Sequence, residues 1–252
     1  MLRACAALAV WVLLLVVMGI PVFLLGLVYP SRRVLAWAAK LWARLMLDIS
    51  GVRLTIRGAE RLRPGQACFF VGNHQSDLDI PILIDALGGD VRFLAKRSLF
   101  YLPVFGWVLG RYGFVPIDRA DARRSHRTLQ SMVRNVRRSP ISFAVFPEGT
   151  RSRDGRLQTF RKGSMKICIR SGLPVVPFSI DGAHAVHHRD EFLHARPGPV
   201  TLTFGEPIPG ERVEAMSPTE LHDQIRAVIA RQLGHVEESQ PLQPLWAAVE
   251  KT

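Results

Sequence analysis

The stretch FFVGNHQSDLDI, residues 69–80, leads from an apolar run into a polar turn that contains His74, and the chain becomes apolar again after Asp79. The first apolar run predicts a buried strand, and the second predicts a helix that begins at Asp79. The histidine therefore lies just past the carboxyl end of a strand, where open α/β sheets form their ligand crevices.

From residue 51 onward, short apolar runs alternate with longer helical patterns. This alternation predicts an α/β fold with a mixed sheet covered by helices on both faces. We divide the chain into a membrane anchor at 1–50, an α/β domain at 51–234 and a tail at 235–252. The predicted strands are 52–57, 67–72, 91–95, 113–117, 141–146, 174–180 and 200–204, and the predicted helices are 79–87, 121–138, 163–171 and 218–233.

The N-terminal segment is suited to lipid. Residues 5–29 contain no charged or amide side chain. At about 1.5 Å per residue, a helix of that length could cross a hydrocarbon core of roughly 30 Å. Gly19 and Pro21 interrupt the segment, so both a spanning helix and a re-entrant hairpin in one leaflet stay open.

An amphipathic pattern follows at residues 31–48. One interpretation is a helix on the core of the domain, and the other is a helix at the membrane surface, which the preceding apolar segment favours. Basic residues follow the apolar segment in excess, so we expect the rest of the chain on the cytoplasmic face of the inner membrane. The apolar positions are Val34, Ala38, Leu41 and Leu45, and the other face carries Arg33, Trp37, Lys40 and Arg44.

The chain is strongly basic, with 33 Lys and Arg against 21 Asp and Glu and a formal net charge of +12. This balance predicts an anionic partner, which is a nucleic acid, a membrane surface or a phosphorylated substrate. The basic helix at 121–138 lacks interleaved aromatic residues and any nucleic-acid motif, so we expect no nucleic acid. Cys5, Cys68 and Cys168 are widely spaced among apolar neighbours and indicate a reducing compartment.

His74 and Asp79 bracket the predicted strand-to-helix turn. The carboxylate can accept from one ring nitrogen of the histidine and leave the other as a general base. Alternatively, Asp77 or Asp79 only caps the helix and His74 is a satisfied turn residue. A serine hydrolase with Ser76 as nucleophile is disfavoured because no G-x-S-x-G elbow surrounds that serine.

Further polar groups follow other predicted strands. In FPEGTRS, residues 146–152, Pro147 ends a strand and Gly149 allows a ligand to approach the backbone, while Arg151 offers a planar fork that suits a phosphate. Arg119 follows the strand of GFVPIDR at 113–119, and Lys96 and Arg97 follow the strand of FLAKR at 93–97. The sequence therefore predicts several cations at neighbouring strand ends. A histidine cluster reads as a solvated loop rather than a metal site, and its members are His184, His187, His188 and His194.

Four stretches together resemble the blocks of the glycerophospholipid acyltransferases, above all the bacterial 1-acyl-sn-glycerol-3-phosphate acyltransferases. NHQSDLD resembles the first block, GFVPIDR the second, FPEGTRS the third and LPVVPFSI, residues 173–180, the fourth. The resemblance implies a membrane-bound enzyme that moves an acyl chain from acyl-CoA or acyl carrier protein to the 2-hydroxyl of lysophosphatidic acid, without a cofactor or metal.

The resemblance also implies residue roles. His74 is expected to be the general base and Asp79 the residue that orients it. The remaining substrate-binding candidates are Lys96, Arg119, Glu148, Gly149, Thr150 and Arg151, with Arg119 and Arg151 on the phosphate. Two alternatives stay open, which are an acyltransferase for another lysolipid such as a lyso-ornithine lipid and a non-catalytic protein that binds lipid headgroups.

Overall fold

The computed structural model describes residues 31–89, 91–103, 105–117, 141–188 and 196–234. The strands are Val52–Arg57 (β1), Phe69–Gly72 (β2), Val91–Lys96 (β3), Val115–Ile117 (β4), Ser142–Val145 (β5), Val175–Asp181 (β6) and Gly198–Phe204 (β7). The α-helices are Arg32–Ile49 (α1), Asp79–Leu87 (α2), Phe105–Arg111 (α3), Lys162–Ser171 (α4), Ala183–Val186 (α5), Gly210–Ala215 (α6) and Pro218–Gln232 (α7). Two 3-10 turns cover Ala59–Arg61 and Arg97–Tyr101.

The strands form one mixed sheet in the order β1-β7-β6-β2-β5-β3-β4. The strands β6, β2, β5, β3 and β4 run parallel, whereas β7 is antiparallel to β6 and β1 is parallel to β7. The carboxyl ends of the five parallel strands therefore meet at one edge of the sheet. The predicted mixed α/β fold is confirmed.

Helices cover both faces of this sheet. Alternate side chains of β2 therefore lie in two separate cores. Phe70 belongs to the core that includes α1, α2 and α5, and Phe69 and Val71 belong to the core that includes α4, α6 and α7. A strand buried on both faces is continuously apolar, which explains why FFVG carries no alternation.

Helix α1 packs on the domain through one of its faces. Leu35, Ala39, Ala43 and Leu47 are buried in the same core as α2, and the hydroxyl of Tyr112 donates to the Leu35 carbonyl at 2.6 Å. The interpretation as a helix on the core therefore holds for this face.

The opposite face of α1 remains outside that packing. Ala38, predicted on the lipid side, is buried, but Trp37 and Leu41 are exposed, as are the neighbouring Lys40 and Arg44. The sequence pattern missed the dual character of the helix because small alanines line the packed face and contribute little to an apolar periodicity.

All seven predicted strands are present, and helix α2 has the predicted bounds. The short helices α3, α5 and α6 were not predicted. The predicted helix at 121–138, the apolar segment at 5–29 and the tail at 235–252 lie outside the described residues. Within the described ranges, none of the helices combines the length and apolarity that crossing a bilayer requires.

Candidate active site

The turn after β2 is held against β6 by the close approach of Gly72 to Phe178 and by hydrogen bonds between the Asn73 side chain and the β6 main chain. A Cβ on Gly72 would lie 2.3 Å from the ring of Phe178, so only glycine lets the two strands approach. The buried Asn73 amide then donates to the Ile180 carbonyl and accepts from the Ile180 N–H, both at 2.8 Å. These contacts fix where the chain leaves the sheet and hence where His74 begins.

His74 and Asp79 are in direct contact, as predicted. The Nδ1 atom of His74 lies 2.7 Å from Oδ2 of Asp79. The Asp79 side chain is fully buried, while the His74 side chain is 16% exposed. The carboxylate engages Nδ1, so Nε2 is left as the nitrogen that can take a proton from a bound substrate.

Asp79 also organises the turn ahead of α2, but it does not cap the helix, because the N-cap residue is Leu78 and no side chain makes a capping hydrogen bond there. Its Oδ2 accepts from the main-chain N–H groups of Gln75 at 2.7 Å and Ser76 at 2.9 Å. A carboxylate in the first turn of α2 is stabilised by the helix dipole. The same oxygen therefore joins the imidazole to the start of the helix.

The loop after β5 holds the main chain of His74 from both sides. Oε1 of Glu148 accepts from the His74 N–H at 3.2 Å, and the Ser152 N–H donates to the His74 carbonyl at 2.8 Å. Phe146 stacks on the imidazole with a centroid distance of 4.1 Å and an interplanar angle of 16°. Ring and backbone of His74 are thus both positioned by the FPEGTRS segment.

Glu148 is a buried carboxyl whose pKa is raised. Burial raises its pKa from 4.5 to about 8, against the lowering effect of the His74 N–H. Its second oxygen, Oε2, is buried and has no hydrogen-bond partner among the described residues. The Glu148 side chain therefore lies inside the site next to His74.

Gly149 permits a close approach by a cation. Its φ is +72°, in the left-handed region that favours glycine. A Cβ at this position would lie 2.7 Å from Nε of Arg161, whose guanidinium group covers the glycine backbone. Arg161 directly precedes α4 and was not among the predicted site residues.

Arg151 forms an ion pair with Asp77 of the first loop. The Arg151 side chain is 26% exposed and that of Asp77 is 39% exposed. Arg151, the residue predicted to bind a phosphate, therefore lies at the site. Its guanidinium group is already paired with the Asp77 carboxylate, so an entering phosphate would have to displace Asp77 or share the guanidinium group with it.

The other candidates lie at the same edge or outside the described residues. Lys96 is exposed at the carboxyl end of β3, and Thr150 is half-buried between Gly149 and Arg151. Phe93, inside β3, stacks on Phe146 with a centroid distance of 6.4 Å, and Phe146 in turn stacks on the imidazole of His74. Arg119 lies outside the described residues.

Ser76 is not placed to be a nucleophile. It is fully buried and its hydroxyl donates to the His187 carbonyl at 2.9 Å. His187 is itself buried, and in the portions of the chain that the structure describes no three His, Cys, Asp or Glu side chains are grouped to hold a metal ion. Burial raises the pKa of Cys68 to about 11 and also raises that of the fully buried Cys168, so neither thiol is readily ionised.

Three contributors to the site escaped the sequence analysis: Phe146, Asp77 and Arg161. Phe146 looked like the last apolar residue of a strand, and its contact with His74 depends on β2 and β5 being neighbours. For Asp77, the sequence indicates only a helix cap. The FRKG stretch at 160–163 offered a signal for Arg161, because it places cations directly before a helix.

This arrangement is suited to activating a hydroxyl group. A histidine bound to a buried aspartate stands at the carboxyl edge of a parallel sheet, among cations from neighbouring loops, and can act as a general base beside an anionic group. The protein thus combines an α/β fold with a candidate active site that is built on a His–Asp pair.

Comparison with known proteins gives the family. The family model named Acyltransferase matches residues 53–181, which is 129 of the 252 residues. The chain belongs to this acyltransferase family.

Individual relatives agree with that assignment. A chloroplastic 1-acyl-sn-glycerol-3-phosphate acyltransferase of Brassica napus is 34% identical over 82% of this chain and 60% of its own length. The corresponding chloroplastic protein of Arabidopsis thaliana is 32% identical over 82% of this chain and 58% of its own. The chain thus spans about three-fifths of these relatives.

A solved structure shares the fold. The crystal structure of the 1-acyl-sn-glycerophosphate (LPA) acyltransferase PlsC from Thermotoga maritima superposes with a TM-score of 0.72 at 23% identity, covering 90% of this chain and 97% of that one. This similarity is independent support for the mixed α/β architecture.

Proposed function

We propose that the protein transfers an acyl chain from an acyl thioester, either acyl-CoA or acyl carrier protein, to the 2-hydroxyl of lysophosphatidic acid. The product would be phosphatidic acid, a precursor in phospholipid biosynthesis. The observation that carries the proposal is the 2.7 Å contact between His74 and the buried Asp79 at the edge where Arg151 also lies. The names of the relatives support lysophosphatidic acid as the acceptor.

In the proposed mechanism, Nε2 of His74 takes the proton of the acceptor hydroxyl while the oxygen attacks the thioester carbonyl. The tetrahedral intermediate collapses, the carbon–sulfur bond breaks, and the proton passes from His74 to the departing thiolate. Asp79 keeps the proton on Nδ1 and stabilises the imidazolium that forms between the two steps. The substrate supplies its own nucleophile, so the chemistry requires no acyl-enzyme, cofactor or metal.

Substrate binding is assigned to the groups around the pair. Arg151 is proposed to hold the phosphate with Arg119, because a guanidinium fork pairs well with a phosphate, and Lys96 and Glu148 are proposed as further substrate-binding residues. Gly149 and Thr150 would line the glycerol. We place the enzyme on the cytoplasmic face of the inner membrane, since its acceptor is a lipid and the N-terminal sequence is apolar.

The test is acyl transfer by His74→Ala and Asp79→Asn variants, measured in detergent as release of free thiol from acyl-CoA. We expect His74→Ala to lose about 10²–10⁴-fold in kcat because the general base is gone. Asp79→Asn should lose a substantial part of that. Both variants should keep the circular dichroism spectrum of the wild type. Turnover near that of the wild type in His74→Ala would exclude the mechanism.

The acceptor is tested separately by offering lysophosphatidic acid and lyso-ornithine lipid at matched chain length. We expect a strong preference for the phosphate-bearing acceptor. Equal use of both would favour the other-lysolipid alternative, and lipid binding without any thiol release would favour a non-catalytic headgroup-binding protein.

A further inference from the structure

An exposed aromatic patch lies on the segment that follows Lys96. Seven large hydrophobic side chains of the described residues are strongly exposed, and three of them fall within residues 101–107. They are Tyr101, Leu102 and Trp107, with exposed fractions of 71%, 49% and 58%. We call these three residues the aromatic rim. Clustered exposed apolar side chains mark interaction surfaces.

The aromatic rim is presented by closely packed elements. The Gly106 N–H donates to the Leu102 carbonyl at 2.8 Å. A Cβ on Gly106 would lie 2.1 Å from the carbonyl oxygen of Phe100, so the absence of a side chain lets α3 sit directly on the 3-10 turn. The tight packing of α3 on the 3-10 turn therefore holds the three rim side chains in their exposed positions.

This unit borders the candidate active site. Lys96 ends β3 immediately before the 3-10 turn, at the same sheet edge as His74. At the other end of α3, the Tyr112 hydroxyl binds the Leu35 carbonyl of α1 at 2.6 Å. Along the chain, the rim therefore lies between Lys96 at the site edge and Tyr112, which contacts helix α1.

The charge around the rim selects the partner. The segment 91–117 contains four Lys or Arg residues, of which Arg92 is buried, and no Asp or Glu. The exposed face of α1 repeats this combination, with Trp37 and Leu41 beside Lys40 and Arg44. Trp and Tyr concentrate at membrane interfaces, and cations next to apolar side chains bind anionic headgroups. A second copy of this basic chain would instead bring like charges together.

We propose that the aromatic rim inserts into the headgroup region of an anionic bilayer and holds the His74 edge of the sheet against the lipid that supplies the acceptor. The inference rests on the proposed function only in taking that acceptor to be a lipid. Contact with the bilayer is itself measurable whether or not acyl transfer occurs.

The contact is tested with single-cysteine probes on the full-length chain in vesicles of equal parts phosphatidylcholine and phosphatidylglycerol. Cys5, Cys68 and Cys168 are replaced by Ser, and an environment-sensitive fluorophore is placed on Ser98→Cys, which is exposed in the 3-10 turn but is not part of the rim. The matched control is Gln66→Cys, which is exposed ahead of β2, at the opposite end of that strand from His74.

We expect nitroxide-labelled headgroups to quench the probe at position 98 several-fold more strongly than the probe at 66. Adding Tyr101→Ser and Trp107→Ser should abolish that difference. Equal quenching at both positions in the parent, or quenching that the rim substitutions leave unchanged, would overturn the proposal.

A kinetic experiment separates bilayer contact from a role in folding or chemistry. The Tyr101→Ser/Trp107→Ser variant should raise KM for vesicle-borne lysophosphatidic acid by roughly threefold to tenfold, because the local concentration of acceptor falls. It should leave turnover of a short-chain acceptor dissolved below its critical micelle concentration unchanged. Equal losses on both acceptors would overturn the proposal. If the wild type transfers no acyl chain at all, the proposed function fails and the quenching experiment alone decides the rim.

Discussion

Glu148 supports the site through the main chain of His74. Its Oε1 accepts from the His74 N–H while the side chain is 3% exposed. A glutamine can keep that acceptor without a titratable group, whereas alanine removes it. We therefore expect Glu148→Gln to retain more kcat than Glu148→Ala, with KM for both substrates less affected than kcat. Steady-state kinetics on both variants tests this, and equal loss in the two would assign the carboxyl to substrate binding.

The raised pKa of Glu148 also predicts how stability changes with pH. The unfolded carboxyl ionises near 4.5 and the folded one near 8, so the native state holds the extra proton between these values. Stability should then fall as pH rises from about 4.5 to 8, by at most roughly 1.4 kcal/mol per pH unit. Denaturant unfolding of wild type and Glu148→Gln measures this contribution. The variant should have a flatter profile, and parallel profiles would contradict the assignment.

The buried thiols lead to a third prediction at this scale. Cys68 and Cys168 both have pKa values raised by burial, and Cys168 is packed in the core with Met165 and Phe160. Replacing Cys5, Cys68 and Cys168 by Ser should leave kcat within a few-fold of wild type, because the proposed transfer never places the acyl chain on the enzyme. Stability should fall modestly, since a buried hydroxyl needs a partner. An acylated cysteine that turns over at the catalytic rate would contradict direct transfer.

At the scale of elements, the two loops of the site are joined by the ion pair between Arg151 and Asp77. Lysine retains the charge of arginine but not its two-pronged geometry. We expect Arg151→Lys to raise KM for lysophosphatidic acid by about tenfold or more and to move KM for the acyl donor less. Asp77→Asn is the matched control, because it removes the carboxylate neighbour and keeps the guanidinium group. A response to Asp77→Asn as large as that to Arg151→Lys would mean that the pair serves the loops and not the phosphate.

The strands and the His–Asp pair could be predicted from sequence because their signals are local. β2 is a continuous apolar run, and only four residues separate His74 from Asp79. The stacking of Phe146 on His74 could not be predicted, since it depends on β2 and β5 pairing across more than 70 residues. The short helices α3, α5 and α6 were missed because elements of four to seven residues carry too few positions for a helical period.

At the scale of the whole molecule, α1 follows the apolar N-terminal sequence and packs on the α/β domain. The predicted anchor at 1–50 includes α1, yet Leu35, Ala43 and Leu47 of this helix are buried against the domain. A boundary drawn from hydropathy alone falls where the apolar and basic N-terminal pattern gives way to the strand and helix alternation. The packing of α1 depends instead on the surface of α2, which exists only in the folded chain.

Two truncations follow from this packing and separate the roles of the two N-terminal segments. Removing residues 1–30 leaves α1 in place, so the domain should stay folded, with a Tm within a few degrees of the full chain in detergent. Removing residues 1–49 also deletes α1 and exposes the apolar surface of α2 and the Tyr112 hydroxyl that binds Leu35. Loss of several buried side chains should cost several kcal/mol, on the order of 1.5–3 kcal/mol for each large aliphatic side chain.

We therefore expect the longer truncation to aggregate or to unfold at a much lower temperature, and the shorter one to retain activity on a short-chain acceptor in solution. Both should be less active than the full chain on lysolipid in vesicles, because the apolar segment at 5–29 is gone. Thermal unfolding followed by circular dichroism, together with thiol release on the two acceptors, measures these outcomes. Equal stability of the two truncated proteins would show that α1 belongs energetically to the anchor and not to the domain.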